Sequence, residues 1–286
     1  MLRGLAALGM VVAATTLTAT PASAAVPGLI FVTAATGFDS NVYKAVRVFC
    51  PNGLKVIGGG YQLVGAEGSV VLDDFIPSED SVLVGAGEVV GVGEPSDGTT
   101  ASWQVRATAV CANALPGYQI VSATSQFRTD NGHARAVTAT CPAGTLVVGG
   151  GESLSNGFGQ VSPTDLQFGT NTVYAAAAPD DDGYTQPWSV TAYAICAPAG
   201  LPGLQRVYKF PTTQNSDPRR SETAVCPAGQ QAIGGGWSVS QGILASEVLN
   251  IGLTFSGAGA TASAAEDANG YSQSWGMLAQ VVCADS

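Results

Sequence analysis

Cys141-Pro142-Ala143-Gly144, then Gly149-Gly150-Gly151, then Trp188-Ser189-Val190-Thr191-Ala192-Tyr193-Ala194-Ile195-Cys196 is the stretch on which the reading of the chain turns, because its grammar occurs three times. Cys50-Pro51-Asn52-Gly53 leads to Gly58-Gly59-Gly60, Trp103 and Cys111. Cys226-Pro227-Ala228-Gly229 leads to Gly234-Gly235-Gly236, Trp275 and Cys283. Each glycine triplet begins eight residues after the first cysteine, and each tryptophan lies eight residues before the second. Offsets kept over such lengths mark an internal repeat, with units at 25–114, 115–200 and 201–286.

Working outward, Trp188, Val190, Ala192, Ala194 and Cys196 fall on one face of an extended chain while Ser189, Thr191 and Tyr193 fall on the other. That alternation is the signature of a half-buried strand. Each unit opens with a Pro-Gly turn and an apolar run, as in Pro27-Gly28-Leu29-Ile30-Phe31-Val32, and no stretch after the N-terminal segment shows a sustained 3.6-residue apolar period. The class is therefore all-β, with five or six short strands per repeat. Three glycines inside a strand weaken it, so their recurrence predicts a bulge or the close approach of another backbone. Asp97-Gly98, Asp182-Gly183 and Asn269-Gly270 stand just before the tryptophans and read as type I′ hairpin turns. Short connections and threefold similarity favour one pseudo-threefold body, a β-prism in which each repeat supplies one sheet. A β-trefoil and three tandem small β-sandwiches are the alternatives.

Residues 1–24 combine Arg3, an uncharged apolar run and a terminal Ala22-Ser23-Ala24, which are the parts of a secretory signal peptide. Export is expected, with no later stretch apolar enough to span a bilayer. The six cysteines fit an oxidising compartment. Sequence alone leaves their pairing open, but a common geometry for every repeat pairs Cys50 with Cys111, Cys141 with Cys196 and Cys226 with Cys283. Zinc is disfavoured, since there is no C-x-x-C spacing and His133 is the single histidine. With 11 basic against 21 acidic residues the chain lacks the clustered cations that nucleic acid demands.

The C-P-x-G, G-G-G and W-x-V-x-A-x-A-x-C pattern resembles that of a group of secreted actinobacterial repeat proteins, over essentially the whole chain after residue 24. That resemblance implies export and a β-rich repeat and brings no catalytic residues. The pattern is also similar to that of vitelline membrane outer layer proteins, which have three repeats with C-P-x-G segments and form a β-prism; the repeats here are longer and the cysteine count differs. Fold alone does not give function.

Catalytic parts are sparse. His133 has no counterpart in the other repeats, no G-x-S-x-G or H-E-x-x-H motif is present, and all the cysteines are assigned to disulfides. Asp73-Asp74, Glu79-Asp80 and Asp180-Asp181-Asp182 supply carboxylates from which a glycosidase pair could be drawn. Turn chemistry accounts for most of them, and for Glu266-Asp267-Ala268-Asn269-Gly270, which does not match an EF-hand loop. No cofactor or metal is expected. A basic residue, Lys44, Arg135 or Arg220, stands six positions before the first cysteine of each unit. It reads as an edge charge or ion-pair partner, with the carboxylates Glu79, Asp165 and Glu247 as candidate mates. Tyr184 and Gln186 precede Trp188, and Tyr271 and Gln273 precede Trp275. An aromatic with an amide beside a turn suits a sugar ring, and repeated weak sites gain from avidity. The expectation is a secreted, non-enzymatic protein binding extracellular glycan or cell-envelope polymer through Tyr184, Gln186, Tyr271 and Gln273. An inert structural protein is the alternative, and a secreted hydrolase the second.

Overall fold

A computed structural model of the chain describes residues 26–88, 99–128, 133–157, 159–180, 184–198, 201–240 and 247–285. The signal segment, Asp97-Gly98 and Asp182-Gly183 lie outside the described residues. Every regular element described is a β-strand. The first repeat carries β1 (Ile30–Ala35), β2 (Tyr43–Phe49), β3 (Lys55–Val64), β4 (Val70–Pro77), β5 (Ser81–Glu88) and β6 (Gln104–Ala112). The second carries β7 (Gln119–Thr124), β8 (Arg135–Thr140), β9 (Thr145–Ser155), β10 (Val161–Phe168), β11 (Thr172–Pro179) and β12 (Ser189–Pro198). The third carries β13 (Gln205–Lys209), β14 (Arg219–Val225), β15 (Gln230–Ser240), β16 (Val248–Ser256), β17 (Gly259–Glu266) and β18 (Gly276–Asp285).

These strands form three six-stranded sheets, and none of them belongs to one repeat. The first sheet runs β1-β6-β3-β16-β17-β14, the second β2-β5-β4-β9-β12-β7 and the third β13-β18-β15-β10-β11-β8. Each repeat is thus split into two three-stranded halves, and each half joins half of another repeat. This corrects the expectation of one sheet per repeat, and it excludes three tandem sandwiches. The predicted hairpins fail for the same reason: β5 and β6, β11 and β12, β17 and β18 lie in different sheets. At Asn269-Gly270 only the glycine has positive φ, at 78°. Asp267 Oδ1 accepts from the backbone N–H groups of both residues, making an Asx turn at a crossover between sheets.

The glycine triplets explain the assembly. A bulge precedes each one, placing the fully buried Ile57, Val148 and Ile233 out of register. The leading glycines then meet one another. A Cβ on Gly58 would lie 3.1 Å from Gly234 Cα, one on Gly234 3.2 Å from Gly149 Cα, and one on Gly149 2.9 Å from Gly58 Cα, while colliding with the carbonyls of Ile233, Val148 and Ile57. That closed cycle is the pseudo-threefold axis. The last glycines, Gly60, Gly151 and Gly236, lie under the carbonyls of Leu253, Phe75 and Leu166 from another repeat. Only glycine leaves room there, so β16, β4 and β10 can pair with β3, β9 and β15. Bulge and close approach both occur.

Two clasps close each repeat across its two halves. One is the disulfide: Cys50 to Cys111, Cys141 to Cys196 and Cys226 to Cys283, as the repeat requires. Each closes a loop of 55 to 61 residues, for which chain entropy gives roughly 4 kcal/mol. The other is the recurrent base, which sits over the recurrent tryptophan. Lys44 Nζ is 5.1 Å from the Trp103 ring centre, Arg135 Cζ 4.3 Å from Trp188 and Arg220 Cζ 5.2 Å from Trp275. All three tryptophans are fully buried, so they are core residues and their cationic partners are structural. For Lys44 and Arg220 the carboxylate mates differ from the expected set. Lys44 pairs with Asp39 and Arg220 with Asp217, both from the loop just before the strand, while Glu79, in the β4–β5 turn, pairs with Lys55 at the start of β3. A continuous apolar core runs between the sheets, from Val26 to Ala284.

Candidate functional site

The sequence-predicted residues separate. Tyr184 and Tyr271 are buried at 7% and 8% exposure, whereas Gln186 and Gln273 are exposed. Tyr184 donates its hydroxyl to the carbonyl of Asn156 at 2.6 Å. Enclosed rings offer no face to a sugar, so the structure does not assemble these four residues into a platform. His133 is exposed.

The outward faces of the sheets differ at equivalent positions, and there a site does appear. In the first sheet, Thr33 on β1 stands opposite Thr108 on β6, which stands opposite Gly60 on β3. The next row on the same face is Ala35, Arg106, Gln62 and Gly252. Gly60 itself is covered by the Leu253 carbonyl and the Phe255 ring, but beside it the short side chains of Thr33, Ala35 and Thr108 leave the face low, with Gln62 and Arg106 standing around it. The result is an open groove of about 520 Å³ lined by Thr33, Ala35, Gln62, Arg106, Thr108 and Thr254, among others. Phe31, 39% exposed, lies two residues along the same strand face and packs at 6.1 Å against Phe255.

The same place is occupied in the other sheets. In the second, the row is Ser122, Tyr193 and Gly151. Tyr193 replaces Thr108, and its hydroxyl lies 3.3 Å from Ser153 Oγ, across the face. In the third, the row is Tyr208, Gln280 and Gly236. Gln280 is fully buried and makes a pair of hydrogen bonds with the Phe168 backbone, accepting from its N–H at 2.8 Å and donating to its carbonyl at 2.6 Å. Tyr208 also donates to that carbonyl at 3.3 Å and stacks on Phe210. Larger side chains thus cover two of the three equivalent places, while two threonines leave the third open. The signal was present in the sequence as Thr33 against Tyr208 and Thr108 against Tyr193, but it acquires meaning only once register shows that these positions face outward side by side.

Arg106 dominates the groove electrostatically. Swinging the Gln104 amide so that its oxygen faces the guanidinium gives acceptor distances of 3.1 Å from Nε and 2.9 Å from an Nη. The side-chain amide therefore fixes the arginine while the rest of its fork remains for a ligand. Backbone, hydroxyl, amide and guanidinium groups supply donors and acceptors on every side; among the described residues no carboxylate lines the groove.

A second cluster lies on the outer face of the second sheet. Asp74 faces Ser153 across the β4–β9 pair, and a bulge brings in Asp73 beside it. Tyr43 donates to Asp74 at 3.4 Å. Burial, then the neighbouring Asp74, pushes the Asp73 carboxyl up to about 7; burial also raises Asp74. The Tyr43 hydroxyl, held by burial and the two carboxylates, is raised to about 12. Inside the body, Glu152 is fully buried on β9 with neither carboxyl oxygen hydrogen-bonded. Desolvation, then Asp165, keeps it protonated well above its ordinary range. Among the described residues no group of three or more His, Cys, Asp or Glu side chains could hold a metal ion, and no helix is long and apolar enough to cross a membrane. No protein-family model and no curated protein matches the chain.

Proposed function

We propose that this protein is a secreted, non-enzymatic β-repeat protein that binds extracellular glycan or cell-envelope polymer, and that it does so through the groove of the first sheet. The observation that carries this reading is the open face at Thr33 and Thr108, where the other two repeats place tyrosine, glutamine or serine. Hydroxyl, amide and guanidinium groups around a shallow floor, with an exposed phenylalanine at one end, suit a polyhydroxylated ring. Three disulfides agree with an oxidising compartment, and the signal-like N-terminus supports export.

The test is retention of the exported chain on a panel of immobilised polysaccharides, beside Thr108→Tyr, which closes the groove with a side chain that the fold already carries at Tyr193. Retention by the parent and its loss in the variant is the expected result. No retention on any polymer moves the protein to an inert structural role. A second reading, a hydrolase, is favoured by one observation, the raised carboxyl of Asp73 beside Asp74. Release of reducing ends from any of those polymers, abolished by Asp73→Asn, would establish it.

A further inference from the structure

The groove's ligand class follows from one residue that the other sheets lack. At the position of Arg106 the second sheet has Thr191 and the third has Leu278. The chain carries only 11 lysines and arginines against 21 acids, so a cation on an open face is uncommon here. It is also held in place, by the two contacts from the Gln104 amide. An oriented guanidinium beside hydroxyl and amide donors, with no carboxylate in the lining among the described residues, is a receptor for an anion carried on a polyol.

We infer that the first-sheet groove takes an acidic saccharide or polyol segment, whose carboxylate or phosphate meets Arg106 while its hydroxyls meet Gln62, Thr33 and Thr108. This rests on the glycan-binding reading and narrows it. The site is single, because the equivalent positions are filled by Tyr193 in the second sheet and by Gln280 and Tyr208 in the third. Affinity therefore comes from one groove and not from threefold avidity.

The experiment is titration calorimetry of the disulfide-intact protein with three probes: a short oligogalacturonate, the same oligomer with its carboxyls reduced to alcohols, and a glycerol-phosphate oligomer. An acidic oligomer binds at one site per chain and weakens as salt rises, and the reduced oligomer binds at least about tenfold more weakly, as expected for loss of a charge-assisted hydrogen bond. Which acidic oligomer binds separates a uronate source from a phosphate source. Arg106→Gln costs about tenfold or more on the acidic probe and much less on the reduced one, which has no charge to lose. Thr33→Tyr abolishes both. Equal binding of acidic and reduced oligomers, untouched by Arg106→Gln, overturns the inference while leaving glycan binding standing. Absence of binding by all three probes in a chain that the polysaccharide panel also fails to retain overturns both.

Discussion

At Gly58, Gly149 and Gly234 the strands meeting at the axis carry the same residue, whereas three positions later the same strands carry Tyr61, Glu152 and Trp237. The first set faces the backbone of a neighbouring repeat, with carbonyl oxygens 2.0 to 2.5 Å from where a Cβ would sit. The second set faces a core of side chains, where Tyr61 packs at 5.6 Å against Trp237 and at 5.5 Å against Phe75. Backbone cannot move aside without breaking the sheets it belongs to, so one residue type is tolerated. Side chains can be exchanged for one another if volume and polarity are met, so the repeats diverge there. The outer faces diverge further, and one of them opens into the groove.

The strongest way to break this contrast is to put a side chain at the axis. Gly149→Val places its Cβ 2.9 Å from Gly58 Cα and against the Ile57 carbonyl. Loss of more than about 4 kcal/mol is expected, a large fraction of the roughly 5–15 kcal/mol that holds a domain folded, and the readout is cooperative unfolding followed by circular dichroism. Valine accepted at Gly149 with little loss would show that the three repeats do not touch there.

The clasp between base and tryptophan comes next. Arg135 is buried, stacks on Trp188 and donates to the carbonyls of Gln126, Trp188 and Arg128. Arg135→Met removes the hydrogen bonds donated to those carbonyls, of which Arg128 O keeps the Trp188 N–H, and a cost of roughly 2–4 kcal/mol follows. Arg135→Lys should recover part of it, because Lys44 does the same work over Trp103 in the first repeat. Denaturant midpoints of the two variants decide whether the clasp is cation-specific. Equal losses for Met and Lys would mean that the guanidinium's hydrogen bonds, and not its charge over the ring, hold the loop.

Much of this was legible in the chain. The cysteine pairing, the strands and the need for glycine at 58, 149 and 234 follow from spacing, because a repeat imposes one local geometry three times. What spacing does not encode is partnership between distant strands. Alternation in β12 shows which face meets the apolar core, although Ser189 and Thr191 on the other face are buried too and the strand is not half-exposed as expected; nothing in it says that β9 binds β4 of another repeat, and Asn269-Gly270 has the composition of a hairpin turn although it joins two sheets. The tyrosines misled for a related reason. Proximity of Tyr184 to Trp188 is visible in sequence, while the Asn156 carbonyl that captures its hydroxyl lies 28 positions away. The groove was hidden because it consists of what Thr33 and Thr108 lack.

Glu152 sharpens the comparison from the other side, since it is the one acid among the three core positions. A buried carboxyl without hydrogen bonds costs about 1–3 kcal/mol, so Glu152→Met is expected to stabilise the protein by that order at neutral pH. The pH dependence has a definite sign. With the folded pKa raised above the unfolded one, the folded state binds the extra proton; the contribution is fully present below the unfolded value, about pH 4.3, and is lost as pH rises toward the folded value. The slope is on the order of 1 kcal/mol per pH unit. Asp165 faces the same carboxyl and adds to the rise, and the Glu152 carboxyl in turn raises the buried Tyr61 hydroxyl. Asp73 contributes with the same sign up to about pH 7, so the slope lost in Glu152→Gln is the part that belongs to Glu152. Identical stability–pH profiles for the parent and Glu152→Gln would show that this carboxyl reaches solvent or a partner.

The smallest effect separates the residues that the sequence singled out from the groove. Tyr184→Phe removes one hydrogen bond to a backbone carbonyl and keeps the ring in the core, for a loss of about 1 kcal/mol. Gln186→Ala alters an exposed side chain and should stay within about 0.5 kcal/mol of the parent. Neither change reaches Thr33, Gln62 or Arg106, so retention on an acidic polymer should be the same for both variants as for the parent, while Tyr184→Phe lowers the unfolding midpoint alone. Stability and binding then fall on different residues, as they must if Tyr184 belongs to the packing of the second repeat and recognition to the first sheet. A fall in retention with Tyr184→Phe at unchanged midpoint would return the site to the tyrosines and leave the groove without a role.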